Sequence, residues 1–322
     1  SLQAGERLFL KGPSGSGKTT TARIIAKAVN CLDLQDGNPC DACANCRSIN
    51  GGQFMDIIEL DAASNRGIDD IRALSDRIGF APNEFRYKVY IVDEVHMLST
   101  SAFNALLKTL EEPPAHVVFI FATTDPHKLL GTVLSRCQRF DFKSVSMEEL
   151  TLHIKAIAEK ENISFDNDKT IEILARQGDG SVRDTLSLMD QALSLSSGET
   201  ISEEVVLRSL GLARPDSIKS LTSALLNKDS KGALAVFDEL AQDNLELEKL
   251  SNQILDKVFE VIESVDNPNE LDGLIENSNV VMEMNTAELL WTYETLIKDL
   301  EWSLQAFDSL RAMRFSLLKV CK

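Results

Sequence analysis

The stretch Gly12-Pro13-Ser14-Gly15-Ser16-Gly17-Lys18-Thr19 constrains this chain more than any other. It reads G-x-x-x-x-G-K-T, with the apolar run Leu8-Phe9-Leu10 before it and small and aliphatic residues at helical spacing over 20–29 after it. Strand, glycine-rich turn and helix is the context in which this pattern cradles phosphate. The glycines let the backbone curl until its N–H groups converge on phosphate oxygens, at a helix N-terminus that already favours anions. Lys18 is expected to reach the β- and γ-phosphates, and the Thr19 hydroxyl to hold Mg²⁺. Gly12, Ser14, Gly15, Ser16, Gly17 and Thr20 complete the expected nucleotide contacts. The plain alternative is a glycine-rich turn with a chance Lys-Thr, which the flanking strand and helix disfavour.

At 322 residues the chain exceeds one ordinary core, so two or three domains are expected. Its 43% hydrophobic and 26% charged residues are those of a water-soluble globular protein. The longest apolar run, 117–122, suits a buried strand and falls far short of a membrane span. The chain opens Ser1-Leu2-Gln3-Ala4-Gly5, with neither an initiator Met nor a signal-peptide pattern, and a trimmed fragment with a cytoplasmic location is expected. A net charge of −17 argues against a protein that coats nucleic acid generally, while leaving room for a local Arg/Lys cluster that contacts DNA.

Strand and helix signals alternate through the first half. The strands are expected at 8–11, 57–61, 88–93, 117–123 and 139–142, with helices at 19–29, 68–78, 99–112 and 126–135. The third of these helices starts behind a Ser99 cap and stops at Pro113-Pro114. Continuous β-branched runs such as Val89-Tyr90-Ile91-Val92 suit strands covered on both faces, hence a parallel α/β sheet. From about residue 144 helices take over, at 147–161, 168–177, 182–195 and 202–210. A third helical region runs from 217 to the end. Its stripes are Ile218, Leu221 and Leu225; Ile254, Val258, Val261 and Ile262; and Leu290, Tyr293, Leu296, Ile297 and Leu300. The division expected is 1–143, 144–210 and 211–322.

Val89-Tyr90-Ile91-Val92-Asp93-Glu94 is an apolar strand ending in two acids. In phosphate-loop ATPases such a strand lies beside the loop and brings its first acid to the Mg²⁺ shell, which casts Asp93 as a second magnesium ligand beside Thr19. Glu94 is then placed to polarise an attacking water, and His96 is read as a packing or hydrogen-bonding neighbour rather than a base. Phe121-Ala122-Thr123-Thr124-Asp125-Pro126 ends another buried strand, from which Thr123 or Thr124 could reach the γ-phosphate. Turn chemistry before Asp-Pro explains the same residues equally well.

Four of the six cysteines follow Cys31-x8-Cys40-x2-Cys43-x2-Cys46, a tetrahedral Zn²⁺ pattern with iron–sulfur ligation as its rival. All four ligands are thiolates, which marks a closed, structural site. Cys137 and Cys321 stand alone and are expected as buried thiols. Arg136 and Arg183, judged by spacing alone, are ion-pairing residues.

These residues together point to a family. Gly12–Thr19, the 31–46 cysteine module, Glu59-Leu60-Asp61-Ala62-Ala63-Ser64, Val92-Asp93-Glu94-Val95-His96-Met97-Leu98, Leu107-Lys108-Thr109-Leu110-Glu111-Glu112-Pro113-Pro114 and Ser135-Arg136-Cys137 occur in this order. In this they closely resemble the gamma/tau subunits of bacterial DNA polymerase III clamp loaders, which are AAA+ ATPases. The specific match covers 8–210, and the last third resembles the family's collar domain in length and helicity. The resemblance implies an AAA+ parallel-sheet domain with a zinc insertion, a helical lid and a helical collar. It implies an ATP-driven machine that opens the sliding clamp and places it on primed DNA, within a pentameric assembly of loader subunits, with polymerase bound through a C-terminal tail. By the family pattern Thr124 becomes the γ-phosphate sensor, Arg183 the lid sensor and Arg136 an arginine finger reaching a neighbouring subunit's ATP. The family's adenine-holding arm precedes the phosphate loop, and eleven residues lie ahead of Gly12 here, so weakened nucleotide affinity is expected. The family's DNA-facing helix usually opens with several basic residues; here Arg66, Arg72 and Arg77 are the candidates.

Three other readings compete. An inactive scaffold subunit of the same loader would carry a degraded phosphate loop, and Lys18-Thr19 is intact. A hexameric branch-migration motor lacks a four-cysteine insertion. A purely zinc-based nucleic-acid module conflicts with the acidic balance and the complete ATPase set.

Overall fold

The computed structural model describes residues 6–322 apart from 53, 65–66, 130, 197–199 and 243–244. The chain forms two compact units. One runs to Ile154 and includes Ala175–Leu186; the other comprises Lys155–Leu174 and Ser187–Lys322.

The first unit is built on five strands, β1 (Arg7–Lys11), β2 (Ile57–Asp61), β3 (Lys88–Asp93), β4 (Val117–Thr123) and β5 (Gln138–Asp141). All neighbours are parallel, in the order β2-β3-β4-β1-β5. Every residue of β4 and all but the last of β3 are buried, as continuous apolar runs require when helices cover both faces. Alternate residues feed two cores. Phe9, Tyr90, Phe119 and Phe121 face α3 (Ile68–Ile78) and α4 (Thr100–Glu111). Leu8, Leu10, Ile91, Ile120 and Ala122 face Ala22 and Ala26 of α1 (Lys18–Val29). Tyr90 and Phe119 are register partners with ring centroids 5.5 Å apart, and Phe119 stacks on Phe121 at 5.8 Å.

β4 lies between the acid-tipped strand β3 and the strand that feeds the loop. Two local differences from the sequence reading have simple causes. A short helix α2 (Ala44–Asn50) forms inside the cysteine module, capped by the Cys43 sulfur, which accepts from the Cys46 N–H. The stretch 126–135 is not one helix: Asp125-Pro126 starts a single 3-10 turn, Pro126–Lys128, and α5 (Gly131–Leu134) follows separately. The Ser99 cap is present, its hydroxyl accepting from Ala102 N–H.

After β5 come the helices α6 (Met147–Glu161), α7 (Asp168–Gln177), α8 (Val182–Leu195) and α9 (Glu203–Leu210). They are followed by α10 (Pro215–Leu226), α11 (Ser230–Leu240), α12 (Leu247–Glu263), α13 (Pro268–Leu274), α14 (Ser278–Glu283), α15 (Thr286–Gln305) and α16 (Ser309–Val320). Beyond Asp141 the β pairing among the described residues is a single bridge, Phe165 to Ile201. The stripes Ile218, Leu221, Leu225 and Ile254, Val258 enter one core with Phe237, Leu296, Leu300 and Leu317. In α15 the sequence reading needs correction. Leu290 and Ile297 are exposed, and the buried stripe is Leu289, Leu296 and Leu300 with Tyr293 at its margin. No helix of the described residues is long and apolar enough to cross a membrane.

Candidate functional site

Parallel strands all point their C-terminal ends the same way, so the loop after β1 and the polar tips of β3 and β4 gather at one edge of the sheet. The loop is tied down by Gly12, whose N–H donates to the Thr123 carbonyl at 3.2 Å. A Cβ on Gly12 would stand 2.4 Å from the Phe142 carbonyl oxygen, so the backbone approach demands glycine. Gly15 adopts φ +66°, and a Cβ there would fall 1.8 Å from Ser181 Oγ. That contact brings the N-terminal turn of α8, with Arg183, to the loop.

A cleft of about 640 Å³ opens here. Ser14, Gly15, Ser16, Gly17, Lys18, Thr19 and Thr20 line it together with Asp61, Asp93, Glu94 and Arg183. Lys18 is buried, and its ammonium donates to the carbonyls of Gly12 at 3.0 Å and Pro13 at 2.7 Å. Burial lowers its pKa, opposed by Glu94 and Asp93 and assisted by Arg183. Thr19 Oγ1 donates to Asp93 Oδ2 at 2.6 Å. A hydroxyl and a carboxylate oxygen this close are hard donors suited to Mg²⁺, which takes few protein ligands and fills its octahedron with water and phosphate oxygens.

Glu94 follows Asp93 with φ 46° and ψ 45°, a left-handed conformation that bulky side chains rarely adopt and that clusters at functional sites. Its N–H donates to Asp93 Oδ1 at 3.0 Å. Its Oε2 accepts from Thr124 twice, from the backbone N–H at 3.1 Å and from the hydroxyl at 3.0 Å. His96 Nδ1 lies 3.2 Å from the same oxygen and 2.8 Å from Thr123 Oγ1. Of the two threonines left open by spacing, Thr124 therefore reaches the acid and Thr123 is buried behind it. The His96 contacts carried no sequence signal beyond proximity to Glu94, because Thr123 and Thr124 come from another strand.

Arg136 does not line this cleft. It follows α5, donating to the Thr132 carbonyl and to Glu111 Oε1 at 3.2 Å. Arg77 occupies the last turn of α3, while Arg66 and the Arg72 side chain lie outside the described residues.

The four cysteines of the module converge, with all Sγ atoms within 4.8 Å of one another and Cys31 and Cys40 sulfurs 3.5 Å apart. Tetrahedral thiolates at the usual zinc–sulfur length of about 2.3 Å stand about 3.8 Å apart, so this cage fits the ion. Backbone N–H groups of Leu32 and then Cys46 draw the Cys43 thiol down to about 6. Burial pushes Cys46 up to about 12. A cation bound in the cage would hold all four as thiolates. Cys137 is half-buried and Cys321 buried, each with its thiol pushed up by burial.

Residues 3–146 match the family described as DNA polymerase III, delta subunit, and 149–198 match the DNA polymerase III clamp loader subunit, ATPase lid domain. The chain is 46% identical over 247 residues to DNA polymerase III subunit tau of Bacillus subtilis, covering 77% of this chain and 44% of that protein. Tau of Escherichia coli is 43% identical, with 77% and 38% covered. The gamma subunit of Buchnera aphidicola subsp. Schizaphis graminum is 37% identical over 283 residues, with 84% and 77% covered. The chain thus spans less than half the length of these tau relatives. Among solved structures, Thermotoga maritima RuvB aligns over 91% of this chain and 79% of that one at TM-score 0.47 and 17% identity, a likeness on which no functional argument rests.

Proposed function

Because the chain belongs to the gamma/tau family of DNA polymerase III clamp-loader subunits, we propose that it is an ATP-driven motor that opens a sliding clamp and loads it onto primed DNA. The observation that carries the reading is the 2.6 Å pair of Thr19 and Asp93 beneath an intact phosphate loop, with Glu94 one residue beyond. In this reading Lys18 leaves the loop carbonyls for the β- and γ-phosphate oxygens, and the loop N–H groups of 14–20 hold the rest, with Gly12 shaping the turn. Thr19 and Asp93 hold Mg²⁺, which when bound offsets the negative charge on the phosphates. Glu94 polarises the attacking water, Thr124 senses the γ-phosphate, and Arg183 reports the nucleotide to the helices that follow. Arg136 serves the neighbouring subunit's site as an arginine finger.

The same reading divides the chain into an AAA+ domain over 1–143, a lid over 144–210 and a collar over 211–322 through which subunits assemble. Zn²⁺ at Cys31, Cys40, Cys43 and Cys46 holds the insertion between α1 and β2. The partners are the other loader subunits in a pentamer, the clamp, primed DNA and, through a C-terminal tail, polymerase, in the cytoplasm. The intact Lys18-Thr19 pair, with Thr19 2.6 Å from Asp93, speaks against the inactive scaffold alternative, whose phosphate loop is degraded. The test is the ATP hydrolysis rate of the assembled complex with and without clamp and primed DNA. Stimulation by the two together is expected; an unchanged rate would remove the clamp-loading role.

A further inference from the structure

The Glu94 carboxylate has close polar neighbours on two sides, Thr124 on one and His96 on the other. From the Thr124 side come a backbone N–H at 3.1 Å and a hydroxyl at 3.0 Å, both onto Oε2. From the other comes His96, its side chain 9% exposed, with Nδ1 at 3.2 Å from the same oxygen. A carboxylate oxygen only accepts, so a ring nitrogen this close to it is the one that carries the hydrogen. Nδ1 thus carries the hydrogen; its hydrogen-bond partner in the structure is Thr123 Oγ1 at 2.8 Å, and Glu94 Oε2 at 3.2 Å is the second acceptor within reach. Thr123 Oγ1 also accepts the Asp125 N–H at 3.0 Å, which fixes the far side of the ring's partner. The ring and the carboxylate share one rigid turn: Met97 N–H closes the 3-10 helix Val95–Met97 onto the Glu94 carbonyl at 2.8 Å.

Counting protons makes His96 more than a packing residue. The Thr124 hydroxyl has a single hydrogen, now given to Glu94. When that hydroxyl turns to a γ-phosphate oxygen, Glu94 loses a donor at the moment its carboxylate must stay aimed at water. The donors left are the Thr124 N–H and His96 Nδ1–H. We infer that His96 is a positioning residue for ATP hydrolysis: Nδ1–H holds Glu94 Oε2 once ATP has claimed the Thr124 hydroxyl, leaving Oε1 to polarise the water. The inference rests on the reading of Glu94 as the water-polarising group and of Thr124 as the γ-phosphate sensor. His96 acts through Glu94 and touches neither nucleotide nor water, so its effect belongs to kcat and not to ATP binding.

The experiment compares His96→Leu and His96→Asn in the full-length chain within its assembled complex, alone and with Glu94→Gln. Leu keeps bulk and removes the donor, whereas the Asn amide places an N–H close to where Nδ1 stands. His96→Leu is expected to lower kcat about ten-fold with KM for ATP and thermal midpoint unchanged. His96→Asn should regain most of that rate, and His96→Leu should add no further loss in the Glu94→Gln background. Wild-type kcat in His96→Leu, an undiminished loss in the double variant, or Asn as poor as Leu would each overturn the inference. A slow Glu94→Gln beside a fast His96→Leu removes the inference alone. A Glu94→Gln variant at the wild-type rate removes the reading of Glu94 and the inference with it.

Discussion

Thr19 and Asp93 stand 74 positions apart in the chain and meet at 2.6 Å, hydroxyl to carboxylate, at the C-terminal edge of the sheet. Thr19 lies in the first turn of α1 behind the loop, and Asp93 is the partly exposed end of an otherwise buried strand. Asp93→Asn keeps the shape and a hydrogen-bond acceptor but removes the charge that attracts a hard cation. In a magnesium titration of hydrolysis, the concentration for half-maximal rate should rise at least about ten-fold. An unchanged midpoint would take Asp93 out of the metal shell.

Asp56, fully buried just before β2, fixes the chain that leads into β3. Burial alone would raise its pKa, but the backbone N–H groups of Glu84, Asn83 and Phe85 outweigh it and hold the carboxyl below its ordinary 3.8. The folded-state value lies below the unfolded one, so the carboxylate's stabilisation is present above about pH 4 and lost as pH falls through the folded value. Asp56→Ala should cost about 1–3 kcal/mol in urea unfolding at pH 7. Its stability should also fall less steeply than wild type's between pH 5 and 3. Parallel pH curves for the two proteins would show that Asp56 is not the group responsible.

Much of this was legible, and the reasons for the rest are physical. The strands over 88–93 and 117–123 match because apolar runs covered on both faces leave no ambiguity of period; 57–61 matches as well, although it is an edge strand with Glu59 and Asp61 exposed. At β5 all four residues are exposed, so the strand gave little contrast and its start at Gln138 was placed one residue late. Helix α15 contains adjacent leucines, Leu289 and Leu290, and either fits a helical stripe; packing with Leu226, Val261, Leu271 and Val281 chose Leu289. Helix α2 went unseen because it is short and starts at a cysteine cap. The site shows the same division. Loop and acids are local patterns, whereas the joining of Glu94 to Thr124 depends on β3 and β4 being neighbours, which no spacing encodes.

The cysteine cage makes a prediction independent of nucleotide. Protein purified without chelator should contain one equivalent of zinc by elemental analysis. Cys31→Ser should lose it and expose the insertion to proteolysis, while some ATP hydrolysis survives. Acidification should also release the metal, since protons compete for thiolates. Iron and labile sulfide in place of zinc would assign the cage to a cluster instead.

Arg136 now pairs with Glu111 at the surface, and exposed ion pairs of this kind hold their partners weakly. Releasing it toward a neighbouring subunit therefore costs little. Arg136→Ala should leave ATP binding intact but remove most clamp- and DNA-stimulated hydrolysis; fingers in phosphate-loop enzymes contribute on the order of 10³–10⁵. Lys should not restore it, lacking the planar fork. Mixed assemblies separate the alternatives. Variant subunits should still turn over at their own sites beside wild-type neighbours while silencing the neighbour they face. Loss confined to the variant's own site would place Arg136 in cis.

The most direct measurement is ATP binding and turnover in parallel for Glu94→Gln in the assembled complex with clamp and primed DNA. Binding should match wild type, because Lys18, Thr19 and Asp93 are untouched, and turnover should fall by about 10²–10⁴. ATP hydrolysed by Glu94→Gln at the wild-type rate would contradict the assignment of this cleft as a site where Glu94 activates water.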